Sequence, residues 1–474
     1  MMSRLIWCVF FMVFTVLPGC NPYRVNKNVL PVVDGNDRYS YPVEGIKAQH
    51  RWWEALHDPF LDAIIEKALS DNLTIKQAGA RIEQAVASDR KSVSFLYPEI
   101  TGRASGARDR KGDDSSEDTH VAGLALSWEI DLWGRLSAAR KASEYEVHAS
   151  REDLEAASVL LTAQVAETYF QIVEQMLQLS LLKRQIKAGE TFLELIELRF
   201  GYGEASVVDV FQQRQQLAST RSRVPIVKSR LRTLENRLHV QMGMAPVQTS
   251  PNYADEFPEL PDLPVTGVPV DLLQNRPDLK RTYNELVATD FRVAEAVSDR
   301  FPRIGLFGSA SFTDGFSTED RMLSLFLEAV APVVDWNRRS SEVEIRKAIL
   351  KEELARYAHA YLTAIEEVEN ALWQEQHQLE LLDALERQLT IARSNLAETR
   401  NRYRQGLTDY LPVLTALQSL QILERDILAR QRELISNRIL LYRALGGSKI
   451  TDVHTRRAAT GGFKRTTISE GVLQ

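Results

Sequence analysis

Cysteine is almost absent from this chain of 474 residues. Only Cys8 and Cys20 occur, so no disulfide framework holds it together. Beyond the N-terminus no apolar run reaches the roughly 18 residues of a spanning segment, which excludes a transmembrane helix. Basic residues do not dominate. Lys and Arg number 58 against 64 Asp and Glu, for a net charge of −6, and no basic patch points to nucleic acid. The eight histidines are scattered, and none pairs with another at i, i+4 around a glutamate. No glycine-rich phosphate loop and no nucleophile elbow is present. Glu366-Glu367 with Glu369 reads as a solvated helix face rather than a metal site. The expectation is a protein without catalytic residues, metal or enzymatic cofactor. Helix breakers are missing too. Residues 337–405 hold no Gly and no Pro, and no proline lies between Pro98 and Pro225.

What is present is a duplication. Pro98-Glu99-Ile100 returns as Pro302-Arg303-Ile304, and Asp131-Leu132-Trp133-Gly134-Arg135 as Asp335-Trp336-Asn337-Arg338-Arg339. Arg199-Phe200-Gly201-Tyr202-Gly203 returns as Arg402-Tyr403-Arg404-Gln405-Gly406, and residues 238–243 are echoed by 441–446. The spacing, roughly 200 residues, is too long for a solenoid unit and marks duplication of a structural half. The halves are 58–245 and 270–447. A linker at 246–269, rich in proline, joins them.

Each half repeats one order of signals: an amphipathic stretch (59–95, 270–300), two strand-like runs, a very long helical run, a Gly break and a second long helical run. The strand-like runs are 99–108 with 121–130, and 303–312 with 323–334. Ala122, Leu124, Leu126, Trp128 and Ile130 alternate with Val121, Gly123, Ala125, Ser127 and Glu129, a period of two. About ten residues is the length of a tilted strand crossing a bilayer. Residues 109–118 and 313–321 are polar and read as hairpin loops. Glu328 falls among residues otherwise turned toward lipid. In the helical runs, Leu161, Val165, Tyr169, Ile172, Val173 and Met176 recur at three- and four-residue steps. Nearly 70 residues at about 1.5 Å each span about 100 Å, too long for a compact domain. Gly189 is the one breaker in 135–200, and Pro225 predicts a kink. The pattern implies a wall or bundle of long helices with an aqueous exterior.

The N-terminus reads as a processing signal over 1–19. Arg4 precedes the apolar stretch 5–16, and Leu17-Pro18-Gly19-Cys20 follows. A Leu-x-Gly-Cys at this distance is similar to a bacterial lipobox, with cleavage before Cys20 and lipid on its sulfur. Residues 20–57 then form an extended lipidated segment, in which Trp52-Trp53 is a packing anchor rather than a ligand platform. The tail, 448–474, is polar.

Four strands cannot close a barrel, whose smallest form has about eight, and an open sheet edge is forbidden in lipid. Strands that enter a membrane must therefore be pooled among several chains. The helices then continue as a hollow cylinder.

These features together resemble the TolC-like outer-membrane factors, in the NodT-like lipoprotein branch that serves resistance-nodulation-division efflux pumps. The motifs that carry the resemblance are Cys20, Arg51-Trp52-Trp53 with Asp58-Pro59, and Asp131-Leu132-Trp133-Gly134-Arg135. Asn275-Arg276-Pro277-Asp278-Leu279 and the breaks at Gly203 and Gly406 complete the set. The resemblance implies a mainly α fold with a small β part: long antiparallel helical hairpins in a trimeric α-barrel, and four strands per chain in a shared twelve-stranded transmembrane β-barrel. It implies a homotrimer in the outer membrane, lipid-anchored through N-acyl and S-diacylglycerol groups on Cys20 and extending into the periplasm. The implied partners are a periplasmic adaptor and an inner-membrane pump. It also implies a gate at the periplasmic tip, where Gly203 and Gly406 make the helix turns. Tyr403 and Asp209 match a gating pair, although Ser206-x-x-Asp209 is equally a capping box. The acidic ring that some members carry would fall at Pro412 and Thr415, with Asp409 one turn earlier as its replacement.

The leading expectation is a passive, gated exit duct for small toxic compounds, powered by a partner. The alternatives are the exit duct of a type I protein secretion system and a periplasmic scaffolding lipoprotein without a pore.

Overall fold

The computed structural model of the chain describes residues 22–27, 29–31, 38–41, 51–111, 115–246, 251–313 and 321–447. The signal segment, the lipobox with Cys20 and the polar tail lie outside the described residues.

Helices dominate. In chain order the long ones are α1 (Pro59–Asp71), α2 (Leu73–Ser94), α3 (Arg135–Gly201), α4 (Val207–Gln241), α5 (Pro277–Ser298), α6 (Arg338–Arg404) and α7 (Tyr410–Ala444). The strands are β1 (Glu99–Lys111), β2 (Ser115–Ile130), β3 (Arg303–Thr313) and β4 (Arg321–Val330). Helices α3 and α6 are 67 residues each, as the missing breakers predict. Gly189 does not interrupt α3, and α4 continues through Pro225. The amphipathic stretch 59–95 forms two helices. Asn72 ends α1 and opens α2, its Oδ1 accepting from Thr74 N at 2.7 Å and Ile75 N at 3.2 Å.

Two compact units emerge, and neither coincides with a sequence half. The first unit takes Met1–Asp34, Ala78–Asp153 and Asp278–Tyr361; the second takes Gly35–Gln77, Leu154–Pro277 and Leu362–Gln474. Each draws on both halves because the long helices pass from one unit into the other.

In the first unit the strands form one antiparallel sheet in the order β1-β2-β3-β4. The register sorts its faces. Ile100, Leu126, Gly308 and Leu325 share one row, and Trp128, Leu306 and Leu327 another row on the same apolar face. The opposite face carries Thr101, Ala125, Ser309 and Ser324, then Glu129, Gly305 and Glu328. Glu328 therefore faces with Glu129 and not with the leucines, which corrects its expected place. The strand ends are corrected as well. Residues 109–111 and 115–118 pair across the hairpin instead of looping, since main-chain ladder bonds need no apolar side chains. Strand β4 stops at Val330 and not at 334, because Pro332 has no N–H for a ladder. Trp133 anchors the turn into α3. Its Nε1 donates to Pro302 O at 2.8 Å, its ring stacks on Phe301, and Asp131 caps the helix through Leu136 N and Ser137 N.

In the second unit the core is built on Trp52, Trp53, Leu61, Ile65, Tyr169, Phe170 and Leu238. Trp52 and Trp53 are 1% exposed, so the packing reading of that pair holds. Asp58 caps α1 through Phe60 N and Leu61 N and accepts from Tyr169 Oη at 2.6 Å. Residues 251–268 carry no helix or strand. Arg438 fastens this segment. It donates to Pro261 O and forms a buried ion pair with Glu375.

Candidate functional site

The second unit brings two interhelical turns together. They follow the two sequence copies, with Gly203 after α3 and Gly406 after α6. Glu204 N donates to Arg199 O at 2.9 Å and Gly203 N to Phe200 O at 3.0 Å; Leu407 N donates to Arg402 O at 2.9 Å and Gly406 N to Tyr403 O at 3.0 Å. Both closures are Schellman motifs, which need a left-handed residue. Gly203 and Gly406 supply it at φ +75° and +71°. A side chain there costs about 1–2 kcal/mol.

The starts of the following helices differ. Ser206 Oγ accepts from Val208 N at 3.2 Å, and Asp209 accepts from Ser206 N at 3.2 Å, a reciprocal capping box. Asp409 holds the same place before α7, with extended backbone, but its exposed carboxylate makes no cap bond. Pro412, the third residue of α7, has removed one of the N–H donors such a cap uses. Asp209 is therefore engaged within its own helix, while Asp409 is free to face solvent.

Between the turns lies an aromatic cluster. Tyr403 is 3% exposed and Tyr410 0%. Their ring centroids are 5.7 Å apart, and Phe192 stands 6.5 Å and 6.0 Å from them. Arg199 seals the cluster. Its guanidinium lies 4.8 Å from the Tyr403 ring centre, and Nη1 donates to Tyr403 O at 3.0 Å and Arg404 O at 3.1 Å. It thus satisfies carbonyls at the end of α6, where a cation also suits the helix dipole. Tyr410 Oη donates to Gln213 Oε1 at 2.6 Å, and Gln213 Nε2 donates to Gly189 O at 2.8 Å. This buried chain ties α7 to α4 and α3. The packing beside it is close: a Cβ at Gly189 would come 3.3 Å from Leu217 Cδ1 and 3.6 Å from Gln213 Nε2.

Tyr403 and Asp209 share no hydrogen bond, and the Tyr403 hydroxyl is buried without a partner among the described residues. Burial, then the nearby Asp209 charge, pushes the Tyr403 phenol up. Burial, then Tyr403 and Asp209, does the same to Tyr410. The structure thus gathers Asp209, Tyr403, Gly203 and Gly406 at one place and leaves Asp409 at its exposed rim. Sequence reading missed Arg199, Gln213 and Tyr410 as site residues. The recurrence of Arg199 at Arg402 is a signal for the first, whereas nothing in the sequence marks Gln213.

The chain as a whole is similar to known proteins. The profile of the family described as outer membrane efflux protein matches residues 64–244 and 268–447. A pyoverdine export outer membrane protein of Pseudomonas putida, OpmQ, is 31% identical over 426 residues, covering 86% of this chain and 90% of that protein. The cation efflux system protein CusC of Escherichia coli O6:H1 is 26% identical, covering 84% and 88%. The solved outer-membrane channel OprN superposes with a TM-score of 0.82 at 27% identity, covering 90% of this chain and 98% of that one.

Proposed function

Because the chain belongs to the outer membrane efflux protein family, we propose that it is the exit duct of a tripartite efflux pump, carrying small toxic compounds passively to the exterior. The observation that carries this reading is the sheet. It has one apolar and one polar face, and each of its edge strands, β1 and β4, has a single ladder neighbour. Such edges are intolerable in lipid. Three chains pooling four strands each remove them, with the apolar face toward lipid and the polar face toward a lumen. The duct is then a homotrimer, and the paired helices α3/α4 and α6/α7 extend it into the periplasm. Export energy comes from an inner-membrane pump of the resistance-nodulation-division type, joined through a periplasmic adaptor. Lipid on Cys20, as N-acyl and S-diacylglycerol groups, anchors each chain to the outer membrane. OpmQ and CusC are named for pyoverdine export and cation efflux, which favours small solutes over secreted proteins.

The helix turns are the gate. Tyr403 and Asp209 hold it closed, Asp409 supplies negative charge at its rim, and Gly203 and Gly406 set the turn geometry. The test is the purified full-length protein in planar bilayers and in mild detergent. Stable single-channel conductance from a heat-modifiable oligomer is expected. A silent, monodisperse monomer removes the duct and leaves a scaffold without a pore.

A further inference from the structure

The polar face of the sheet carries an aromatic pair that neither the barrel nor the gate requires. Phe307 on β3 and Phe326 on β4 are cross-strand partners, and their rings stack with centroids 5.5 Å apart at 21°. The Phe307 ring is folded down onto Gly305, where a Cβ would come within 2.5 Å of it. Glycine at 305 therefore leaves room for the Cε2–Cζ edge of that ring, while Phe326, 53% exposed, keeps aromatic surface open on this face.

Carboxylates flank this surface. Glu99 stands in the same row as Ser127, Phe307 and Phe326, and Glu328 in the next row with Glu129 and Gly305. Phe307, Glu99 and Glu328 line one groove of about 810 Å3. The two arginines in its wall are already neutralised. Arg135 grips Glu129 through three contacts of 2.8–3.1 Å, and Arg303 pairs with Asp299. Glu99 and Glu328 are exposed, and their side chains make no ion pair or hydrogen bond among the described residues. The groove thus has two uncompensated negative charges beside an aromatic floor.

That combination selects a chemistry. A weakly hydrated organic cation gains from the ring faces and from the carboxylates together. An anion of the same shape meets the same rings but is repelled. We propose that the inner face around Phe307, Phe326, Glu99 and Glu328 is a binding station for lipophilic organic cations of the quaternary ammonium or phosphonium kind. The inference rests on the duct reading, since only barrel closure turns this face into a lumen.

The test uses full-length protein in planar bilayers with tetraphenylphosphonium as probe and tetraphenylborate as its shape-matched anion. Tetraphenylphosphonium is expected to reduce single-channel conductance reversibly, and tetraphenylborate is not. Phe326→Leu keeps apolar bulk but loses the ring, and Glu328→Gln keeps shape but loses charge. Phe326→Leu is expected to raise the half-blocking concentration about two- to fivefold, the scale of a cation–π contact at an exposed site, and Glu328→Gln to raise it as well through the lost charge. Unblocked conductance equal to wild type reports that the variants are folded. Block by both ions alike, block unchanged in both variants, or conductance without block overturns the inference alone. No conductance from the wild-type protein overturns the duct reading and the inference with it.

Discussion

Replacing Tyr410 by phenylalanine removes one hydroxyl from a fully buried position at the helix turns. That hydroxyl donates to Gln213 Oε1 at 2.6 Å, and both residues are 0% exposed. Tyr410→Phe leaves the Gln213 carbonyl oxygen without its donor where water cannot replace it, at a cost of about 1–3 kcal/mol. Gln213→Leu strands the Tyr410 hydroxyl instead, at a similar cost, while Gly189 O stays within the α3 ladder. The double variant puts two apolar groups against each other, which is close to neutral. The single costs are therefore strongly non-additive, as expected of two residues in direct contact. Hydrogen–deuterium exchange over residues 405–412 of the full-length protein reads the effect. Each single variant should exchange about 5–150-fold faster there, the equivalent of that energy range, and the double variant should return toward wild type. Additive effects, or exchange unchanged in the single variants, would refute the claim that this bond ties α7 to its neighbours.

Asp209→Ala combined with Tyr403→Phe should raise the open probability of the reconstituted channel; unchanged gating and unchanged drug leakage in cells would remove both residues from the gate. Replacement of Cys20 by serine should abolish incorporation of radioactive palmitate, and persistent labelling would refute the lipobox assignment. For pH, the sign follows from Tyr410. Burial, then Tyr403 and Asp209, raises its phenol above the ordinary 10.0. The contribution of the neutral hydroxyl is thus fully present below that value and is lost as pH climbs through the raised one. Spectrophotometric titration should show one fewer late-ionising phenol in Tyr410→Phe than in wild type, and an identical alkaline limb would contradict the buried assignment.

Much of this architecture was legible in the chain because breakers act locally. The absence of Gly and Pro from 337–405 let α6 run through Arg404, and Gly203 and Gly406 ended α3 and α6 through main-chain geometry alone. Alternation likewise gave the apolar face of β2. Where polarity was read as structure, the reading failed. Residues 109–118 look like a loop, yet backbone pairing carries most of them into the hairpin ladder. Glu328 looked misplaced in the sequence because its face depends on the register with β3.

The candidate site was only partly visible for the same reason. Glycines and caps act over a few neighbouring residues, so Gly203, Gly406 and the Ser206–Asp209 box could be read directly. Arg199 on Tyr403 O and Arg404 O, or Gln213 between Tyr410 and Gly189, joins residues far apart in the chain. No local pattern encodes such contacts.

By itself the sequence determined the duplication, the helix lengths, the turn positions and a strand count too small to close a barrel, since each follows from short-range sterics and periodicity. Tertiary structure alone decided which copy-one residue meets which copy-two residue. It set Arg199 on the end of α6, fastened Tyr410 to Gln213 and turned Phe326 toward Phe307. Those choices depend on how the two helical hairpins register against each other at their turns, and the two β-hairpins against each other in the sheet, which packing within each unit settles.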